Sequence, residues 1–283
     1  SDVYKRQVQK VTDVARALVG EDTVPQYRPE LSKGGAKRSK AFGTQVGAPG
    51  AEPVGVFVPA CVNSMFGPQG EGVGASEAFA KLVERAGLAL TVPEGIDGMC
   101  CGTPWTSKGM STGHDIMQRR VNDQLIAATD GGRLPVVVDA SSCTHGFRDM
   151  AENIGITVID AIEFVDEHVL DRLTVNHKVP SVTLHPTCSA THLGIVDTLK
   201  HVAAAAAEDV NVPAEWNCCG YAGDRGMLHP ELTHAATKRE AAQAKEFGSA
   251  CHASSNRTCE LGLTAATGAD YEHILEILER ASR

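Results

Sequence analysis

The sequence predicts an α/β fold built from two pseudo-symmetric repeats, each with parallel strands joined by helices. Three observations lead to this expectation. After residue 51, short continuous apolar runs alternate with helical patterns, which is typical of a buried parallel sheet. The order of these runs is similar in the two halves of the chain. A Cys-Cys-Gly triplet also occurs once in each half, at 100–102 and at 218–220.

The first 50 residues do not show this alternation. Residues 8–19 have the periodicity of a short amphipathic helix. Residues 21–50 are polar, basic and Gly-rich, which favours a loop or linker. We therefore expect residues 1–50 to be a helix and linker from an upstream module. Residues 1–7 resemble a remnant of cloning or assembly, and we expect the chain to be a fragment of a longer protein.

The first repeat is predicted over residues 51–175. Apolar runs there predict strands, and the segments between them have apolar residues at helical spacing. The predicted strands are 54–60, 88–92, 134–140 and 155–160, and the predicted helices are 75–87, 112–130 and 161–173.

The second repeat is predicted over residues 176–283 and follows the same alternation. The predicted strands are 181–184, 209–213 and 250–254, and the predicted helices are 189–207, 231–248 and 270–282. Strands that alternate with helices in this way favour βαβ units and a parallel sheet.

The cysteines repeat together with this pattern. When Cys61 is aligned with Cys188, a Cys-Cys pair follows 39 residues later in the first half and 30 residues later in the second. One more cysteine follows the second member of each pair, after 42 and 40 residues. The two sets are Cys61, Cys100, Cys101 and Cys143, and Cys188, Cys218, Cys219 and Cys259. Of the nine cysteines only Cys251 is left over, and we expect it to be a core residue.

All eight matched cysteines follow predicted strands, and open α/β sheets bind their ligands at the carboxyl ends of strands. Four thiolates at one point suit a [4Fe–4S] cluster or a tetrahedral Zn²⁺. Neither the short C-x₂₋₄-C pairs of zinc sites nor the C-x₂-C-x₂-C run of ferredoxins occurs. Spacing therefore leaves one or two [4Fe–4S] clusters, or zinc at one site, as alternatives. Packing of buried cysteines without any metal is a further alternative.

Several neighbours of these cysteines are candidates for supporting roles. Gly102 and Gly220 lack a Cβ, so their backbone N–H groups can approach cluster sulfurs. The other candidates are Trp105 and Tyr221 as shields from water, and Lys108 and Arg225 as charges that offset the cluster or contact an anion. His145 is a candidate for ligation or for a hydrogen bond to the cluster, His185 for ligation or contact with the site, and His192 flanks Cys188. Ordinary packing or solvation is the alternative for each of them.

Composition and missing motifs exclude several classes of function. The net charge is −9 and no basic stripe occurs, which argues against a nucleic-acid partner. No apolar run approaches the roughly 20 residues of a membrane span, so we expect at most peripheral membrane association. Without a secretory signal, we expect a cytoplasmic location, including the inner face of the cell membrane. No hydrolase triad, Walker loop or dinucleotide fingerprint occurs, and no catalytic residue is predicted.

At the Cys-Cys-Gly triplets and Cys61 and Cys188, the sequence resembles the cysteine-rich CCG domain family over about residues 51–265. This family includes the cysteine-rich subunit of heterodisulfide reductase and the iron–sulfur subunit of glycolate oxidase. The segments at 139–146, 254–262 and 28–38 look most like fused proteins in which an FAD-linked D-2-hydroxyacid dehydrogenase precedes ferredoxin motifs and a CCG region.

The resemblance implies an iron–sulfur electron-transfer module of such an oxidoreductase, with D-lactate as the leading substrate. FAD-binding and ferredoxin-type domains would lie upstream or in another subunit, and a quinone, cytochrome or other carrier would accept the electrons. In the heterodisulfide reductase pattern each repeat ends in C-x-x-C, whereas Gly146 and Gly262 occupy the last position here. This departure favours ordinary four-thiolate ligation. A zinc-stabilised docking domain and a thiol/disulfide reductase are the alternative functions.

Overall fold

A computed structural model describes residues 2–28, 31–69 and 72–283. Residues 29 and 30 of the predicted linker and residues 70 and 71 therefore lie outside the described residues. In the described ranges, nine strands form two sheets. The strands are β1 (Gln45–Gly47), β2 (Pro53–Val58), β3 (Ala89–Thr91), β4 (Val136–Val138), β5 (Val158–Asp160), β6 (Val179–Leu184), β7 (Ala207–Asn211), β8 (Cys251–Ser254) and β9 (Tyr271–His273).

The two sheets share one strand order. In the first, the order is β1-β3-β2-β4-β5, and β1 is the antiparallel edge strand. In the second, the order is β7-β6-β8-β9, and every pair is parallel. When β1 is set aside, each repeat places its first strand second in the sheet, between its second and third strands. The predicted α/β class with parallel, pseudo-symmetric repeats is confirmed.

The described part of the chain also contains fourteen α-helices. They are α1 (Asp2–Val19), α2 (Arg38–Phe42), α3 (Cys61–Met65), α4 (Ala75–Arg85), α5 (Thr103–Ser107), α6 (Ser111–Ala128), α7 (Ser141–Ala151), α8 (Ala161–Phe164), α9 (Cys188–Leu193), α10 (Val196–Ala206), α11 (Arg225–Leu228), α12 (Pro230–Phe247), α13 (Arg257–Thr267) and α14 (Ile274–Ala281). No helix among these residues is both long and apolar enough to cross a bilayer.

The two repeats pack on one continuous apolar core. Val58 at the end of β2 and Leu184 at the end of β6 both belong to it and are fully buried. Helix α4 of the first repeat packs against α14 of the second, and α10 of the second packs against α8 of the first. The Arg85 guanidinium links α4 to the end of α14 by donating to the Glu279 carbonyl at 2.7 Å. Each repeat therefore contributes a helix that packs against a helix of the other repeat.

Some predicted elements have different boundaries in the structure. The predicted helix 189–207 is interrupted because Gly194 adopts a left-handed conformation (φ 75°) that ends α9. The predicted helix 270–282 begins with β9, because Tyr271–His273 pairs with β8. The predicted helix 161–173 is α-helical only to Phe164, and a π-helical turn (Val165–Val169) and a 3₁₀ turn (Leu170–Arg172) continue it.

Other elements were not predicted at all. Residues 21–50, expected to be loop or linker, contain α2 and β1. Helices α7 and α13, for which no helix was predicted, carry Cys143 and Cys259 in their first turns. Both helices begin within three residues of the end of a strand, so the sheet fixes where they start.

Candidate metal centres

The eight matched cysteines lie just beyond the carboxyl ends of parallel strands, as the sequence predicted. Cys61 begins α3 directly after β2, and Cys188 begins α9 directly after β6. Each Cys-Cys pair lies in the loop after the second strand of its repeat, and Cys143 and Cys259 follow β4 and β8. Adjacent parallel strands place these loops at one edge of each sheet. The fold thus brings the four members of each set together.

In the first set, the thiols form a continuous chain of contacts. The Cys100 sulfur accepts hydrogen bonds from the thiols of Cys101 and Cys61, and these bonds lower the pKa of Cys100 to about 2. The chain continues from Cys101 to Cys143. Cys101 and Cys143 are buried, whereas Cys61 and Cys100 are half-buried. The set therefore has an enclosed side and a side that solvent reaches.

The loops of the first set are held by two buried charged groups. Arg38 donates from Nη1 to the Pro59 carbonyl and from Nη2 to the Met99 carbonyl, both at 3.0 Å. Asp139, at the end of β4, accepts the Ala60 N–H at 2.6 Å. Burial raises the pKa of this carboxyl. The segments before Cys61, Cys100 and Cys143 are thereby tied to one another.

The second set repeats the arrangement of thiols. Cys218 accepts hydrogen bonds from the thiols of Cys188 and Cys219, which lower its pKa to about 2. Cys219 and Cys259 are buried, and their sulfurs lie 3.2 Å apart. Cys218 is exposed, so the second set is more open at this corner than the first is at Cys100.

A buried histidine lies behind the second set. His185 is fully buried, and its Nδ1 lies 2.6 Å from Oε1 of Glu240, which is 1% exposed. The imidazole also interacts with the sulfur of Cys259. Burial opposes protonation of His185, but the hydrogen bonds to Cys259 and Glu240 outweigh it and raise its pKa to about 10. The expectation that His185 touches the site is confirmed, and ligation by it is not needed to explain its contacts.

The glycines of the triplets bring their backbone N–H groups close to cysteine sulfurs. Gly102 and Gly220 adopt left-handed conformations, with φ of 80° and 70°. The Gly220 N–H points back to the Cys218 sulfur at 3.5 Å, and the Gly102 N–H does the same at Cys100. Backbone donors thus face the more exposed sulfur of each pair.

Gly146 and Gly262 occupy the positions where the heterodisulfide reductase pattern has a cysteine, and both pack against the Cys-Cys segment. A Cβ at position 146 would lie 2.5 Å from the Cys101 carbonyl oxygen. A Cβ at position 262 would lie 3.0 Å from a Thr233 methyl and 3.9 Å from the Cys219 Cβ. In the first repeat, therefore, the backbone leaves no room for any side chain at this position.

The two sets are linked across the boundary between the repeats. Ser141 Oγ and Ser255 Oγ lie 2.9 Å apart, and the Ser142 hydroxyl donates to Asn256 Oδ1 at 3.0 Å. Lys108, predicted as a compensating charge for the first set, forms an ion pair at 2.9 Å with Asp224 beside the second triplet. The turns that carry the two sets therefore contact each other directly.

The remaining candidates differ in burial. Tyr221 is buried and packs with Cys219 and Cys259, as expected of a shield. Trp105 is half-buried and packs on Gly113 of α6. His145 is 47% exposed and faces Asp149 at 3.1 Å, and its ring lies 6.0 Å from that of the exposed His192.

The last two candidates lie apart from the thiols. Arg225 is exposed at the start of α11. Cys251, in β8, is half-buried against the core, and it joins neither set.

The fit to a metal group rests on donor chemistry. In residues 2–28, 31–69 and 72–283, no three His, Cys, Asp or Glu side chains surround one point as a single ion requires. The sulfurs of each set instead lie in mutual contact. Four soft sulfur donors on separate loops suit an iron–sulfur cluster, and they also suit zinc. Ligation by these eight cysteines remains our prediction.

Sequence reasoning missed Arg38, Asp139 and Glu240. Arg38 lies in a stretch predicted as linker, and Glu240 is 55 residues from the histidine that it contacts. Asp139 lies at the carboxyl end of a predicted strand, and this position was the clearest sequence indication that it lies near the site. The other two could be found only from the packed structure.

Comparison with known proteins is consistent with this architecture. The cysteine-rich domain of the CCG family matches residues 56–148 and again residues 182–264, more than half of the chain. The glycolate oxidase iron-sulfur subunit of Escherichia coli (strain K12) is 21% identical over 220 residues, which cover 72% of this chain. The chain spans about half of that relative's length, 53%. With two copies of the domain, each containing one of the four-cysteine sets, the chain belongs to the cysteine-rich CCG domain family.

Proposed function

We propose that this chain is the iron–sulfur electron-transfer module of a flavin-linked 2-hydroxyacid oxidase or dehydrogenase. The observation that carries the proposal is the pair of matched four-thiol sets, one in each sheet, at the carboxyl ends of parallel strands. The name of the Escherichia coli relative supports the reaction class, because that protein is the iron–sulfur subunit of a glycolate oxidase.

In this proposal each set holds one [4Fe–4S]-type cluster. The ligands would be Cys61, Cys100, Cys101 and Cys143, and Cys188, Cys218, Cys219 and Cys259. Such a cluster supplies one-electron redox chemistry when it is bound. The chain's own residues orient the sulfurs, exclude water on the buried side and leave the Cys100 and Cys218 corners accessible to solvent.

The packing at Gly146 favours four-thiolate ligation over the five-cysteine pattern. A side chain at that position would collide with the Cys101 backbone, as the 2.5 Å separation indicates. This contact argues against a heterodisulfide-reductase-like centre in the first repeat. It is compatible with a site that passes electrons and cleaves no disulfide.

The finer assignments follow the family resemblance. We propose a D-2-hydroxyacid as the substrate of the complete enzyme, with D-lactate as the first to test. FAD-binding and ferredoxin-type domains, upstream or in a separate subunit, would deliver the electrons, and a quinone, cytochrome or other carrier would accept them. We place the enzyme in the cytoplasm, including the inner face of the cell membrane.

Metal analysis tests the proposal directly. We expect protein purified without oxygen to contain iron and acid-labile sulfide for two clusters, and to give an EPR signal after reduction with dithionite. Stoichiometric zinc without sulfide would overturn the electron-transfer assignment and favour a zinc-stabilised docking domain. Metal-free protein that reduces a disulfide with its own thiols would favour the reductase alternative.

Substrate class is tested on the chain together with its flavoprotein partner. We expect D-lactate to reduce the clusters faster than L-lactate does. If glycolate alone reduced them, the D-lactate assignment would be wrong, but the electron-transfer function would stand.

A further inference from the structure

Arg38 is a buried arginine without a carboxylate partner in the described part of the chain. Its side chain is 5% exposed, and its hydrogen bonds go to the neutral carbonyls of Pro59 and Met99. Asp97, on a neighbouring loop, is exposed and accepts the Ser39 N–H at 3.2 Å. Water screens this exposed carboxylate, so the positive charge of Arg38 is not neutralised by a close ion pair.

The two carbonyls place that charge beside the first cysteine set. Pro59 precedes Cys61 by two residues, and Met99 immediately precedes Cys100. The planar guanidinium therefore connects two of the three segments that carry the set.

Burying a cation without a partner carries a desolvation penalty. Two neutral carbonyls offset only part of this penalty, whereas a negative charge close by offsets more of it. The exposed Asp97 carboxylate also attracts Arg38, but water screens it, whereas the thiolates of the first set lie beside the buried guanidinium. Four thiolates around a cluster would carry net negative charge, and that charge grows when the cluster is reduced.

The second repeat has a different arrangement. There the buried cation candidates have carboxylate partners. His185 is paired at 2.6 Å with Glu240, and Arg257, two residues before Cys259, is paired at 2.8 Å with Glu260. When Cys61 is aligned with Cys188, the first-repeat residue that matches His185 is Val58. The uncompensated cation is thus a property of the first centre, and it comes from outside the repeated sequence.

We propose that Arg38 is a positioning residue of the first centre, and that its positive charge stabilises the reduced form and raises the reduction potential of the cluster held by Cys61, Cys100, Cys101 and Cys143. The inference rests on the proposed function, because it requires an iron–sulfur cluster at that set. The reductant in the test is dithionite, which supplies the one electron that the cluster gains.

The test is a redox titration of the whole chain monitored by EPR, after iron and sulfide have been measured on the unaltered protein. In Arg38→Gln we expect the reduced-to-oxidised ratio of one of the two clusters to fall about tenfold at a given potential, a shift of about 59 mV downward. The other cluster should titrate as before. Arg16→Gln is the matched control, because Arg16 is also buried and also donates to main-chain carbonyls.

Each outcome decides the question. Two loaded clusters with unchanged potentials in Arg38→Gln would overturn the inference while the proposed function stands. A similar shift in Arg16→Gln would also overturn it, because any buried arginine would then have the effect. If Arg38→Gln does not bind a cluster at the first set, Arg38→Lys is measured instead. Lysine keeps the positive charge but cannot donate to both carbonyls with a planar guanidinium. Loading with the unaltered potential supports a role of charge, and failure to load reduces Arg38 to a structural link. Zinc without sulfide in the unaltered protein would instead defeat the proposed function.

Discussion

The two repeats hold the same four cysteines on the same strand order, yet they surround them differently. The first repeat has an extra edge strand, β1, and a buried arginine that comes from a segment before the repeat. The second has no such strand, and it places a histidine–glutamate pair behind Cys259. The strand order therefore determines where the four thiols of each set lie. The charged groups around them depend on which other segments pack against each set. We expect two centres with similar ligands and different electrostatic environments.

The strongest test of this comparison removes one buried ligand candidate from each set. Cys101→Ser and Cys219→Ser should each abolish the EPR signal of their own repeat and lower the iron content by about half, because each repeat has a complete set of four thiols. Iron analysis and EPR of the reduced proteins measure both effects. Loss of both signals in either variant would contradict two independent centres.

The glycines at the ends of the C-x-x-G motifs give the next largest effect. Gly146→Ala should lower the free energy of unfolding by about 1–3 kcal/mol, because its Cβ would lie 2.5 Å from the Cys101 carbonyl. Gly262→Ala should change it by less than about 1 kcal/mol, since the closest atom is a side-chain methyl at 3.0 Å and alanine favours the helix. Chemical denaturation of the metal-free variants measures this difference. Equal effects would show that the two repeats are packed alike here.

A third difference concerns the matched residues that cap α8 and α14. Asp160 caps α8 and His273 caps α14, and each forms a capping box with a glutamate. Burial raises the pKa of Asp160 from 3.8 to about 7 and lowers that of His273 from 6.5 to about 4. The two groups should therefore give the folded state opposite dependences on pH.

The signs follow from proton linkage. The folded chain keeps the Asp160 proton up to about pH 7, so the stability from this group is present below pH 3.8 and is lost as pH rises towards 7. The unfolded chain protonates His273 below pH 6.5 but the folded chain does not, so stability is lost as pH falls from 6.5 towards 4. We expect Asp160→Asn to remove the first loss and His273→Asn to remove the second. Denaturation curves of the metal-free protein from pH 4 to 8 measure both, and an unchanged slope in either variant would refute that assignment.

The smallest effect is expected at the cysteine outside both sets. Cys251 is half-buried in β8, and burial raises the pKa of its thiol. Cys251→Ala should leave the iron content and both EPR signals unchanged and should alter the free energy of unfolding by less than about 1 kcal/mol, because only part of a small side chain is removed from the core. A loss of iron would mean that the division into two sets of four is incomplete.

Much of the architecture could be predicted from local patterns. Continuous apolar runs such as Val136–Val138 identified most strands, because buried parallel strands are apolar on both faces. The segment of β9 was assigned to a helix, since it is three residues long and runs directly into α14. Helices α7 and α13 were missed because their sequences carry cysteine, glycine and polar residues on the face that meets the thiols.

Local sequence patterns are sufficient to predict the two repeats, the α/β class and the two sets of four cysteines at strand ends. These features depend on the order and spacing of residues, and both can be read from the sequence when a pattern repeats. Three contacts become visible only in the folded chain. Arg38 lies behind the first set, Glu240 pairs with His185, and Lys108 forms an ion pair with Asp224 across the repeats. Each of these contacts joins segments that are far apart in the chain. The electrostatic energy of a charged side chain depends on the groups that lie next to it after folding, so sequence spacing alone does not predict these contacts.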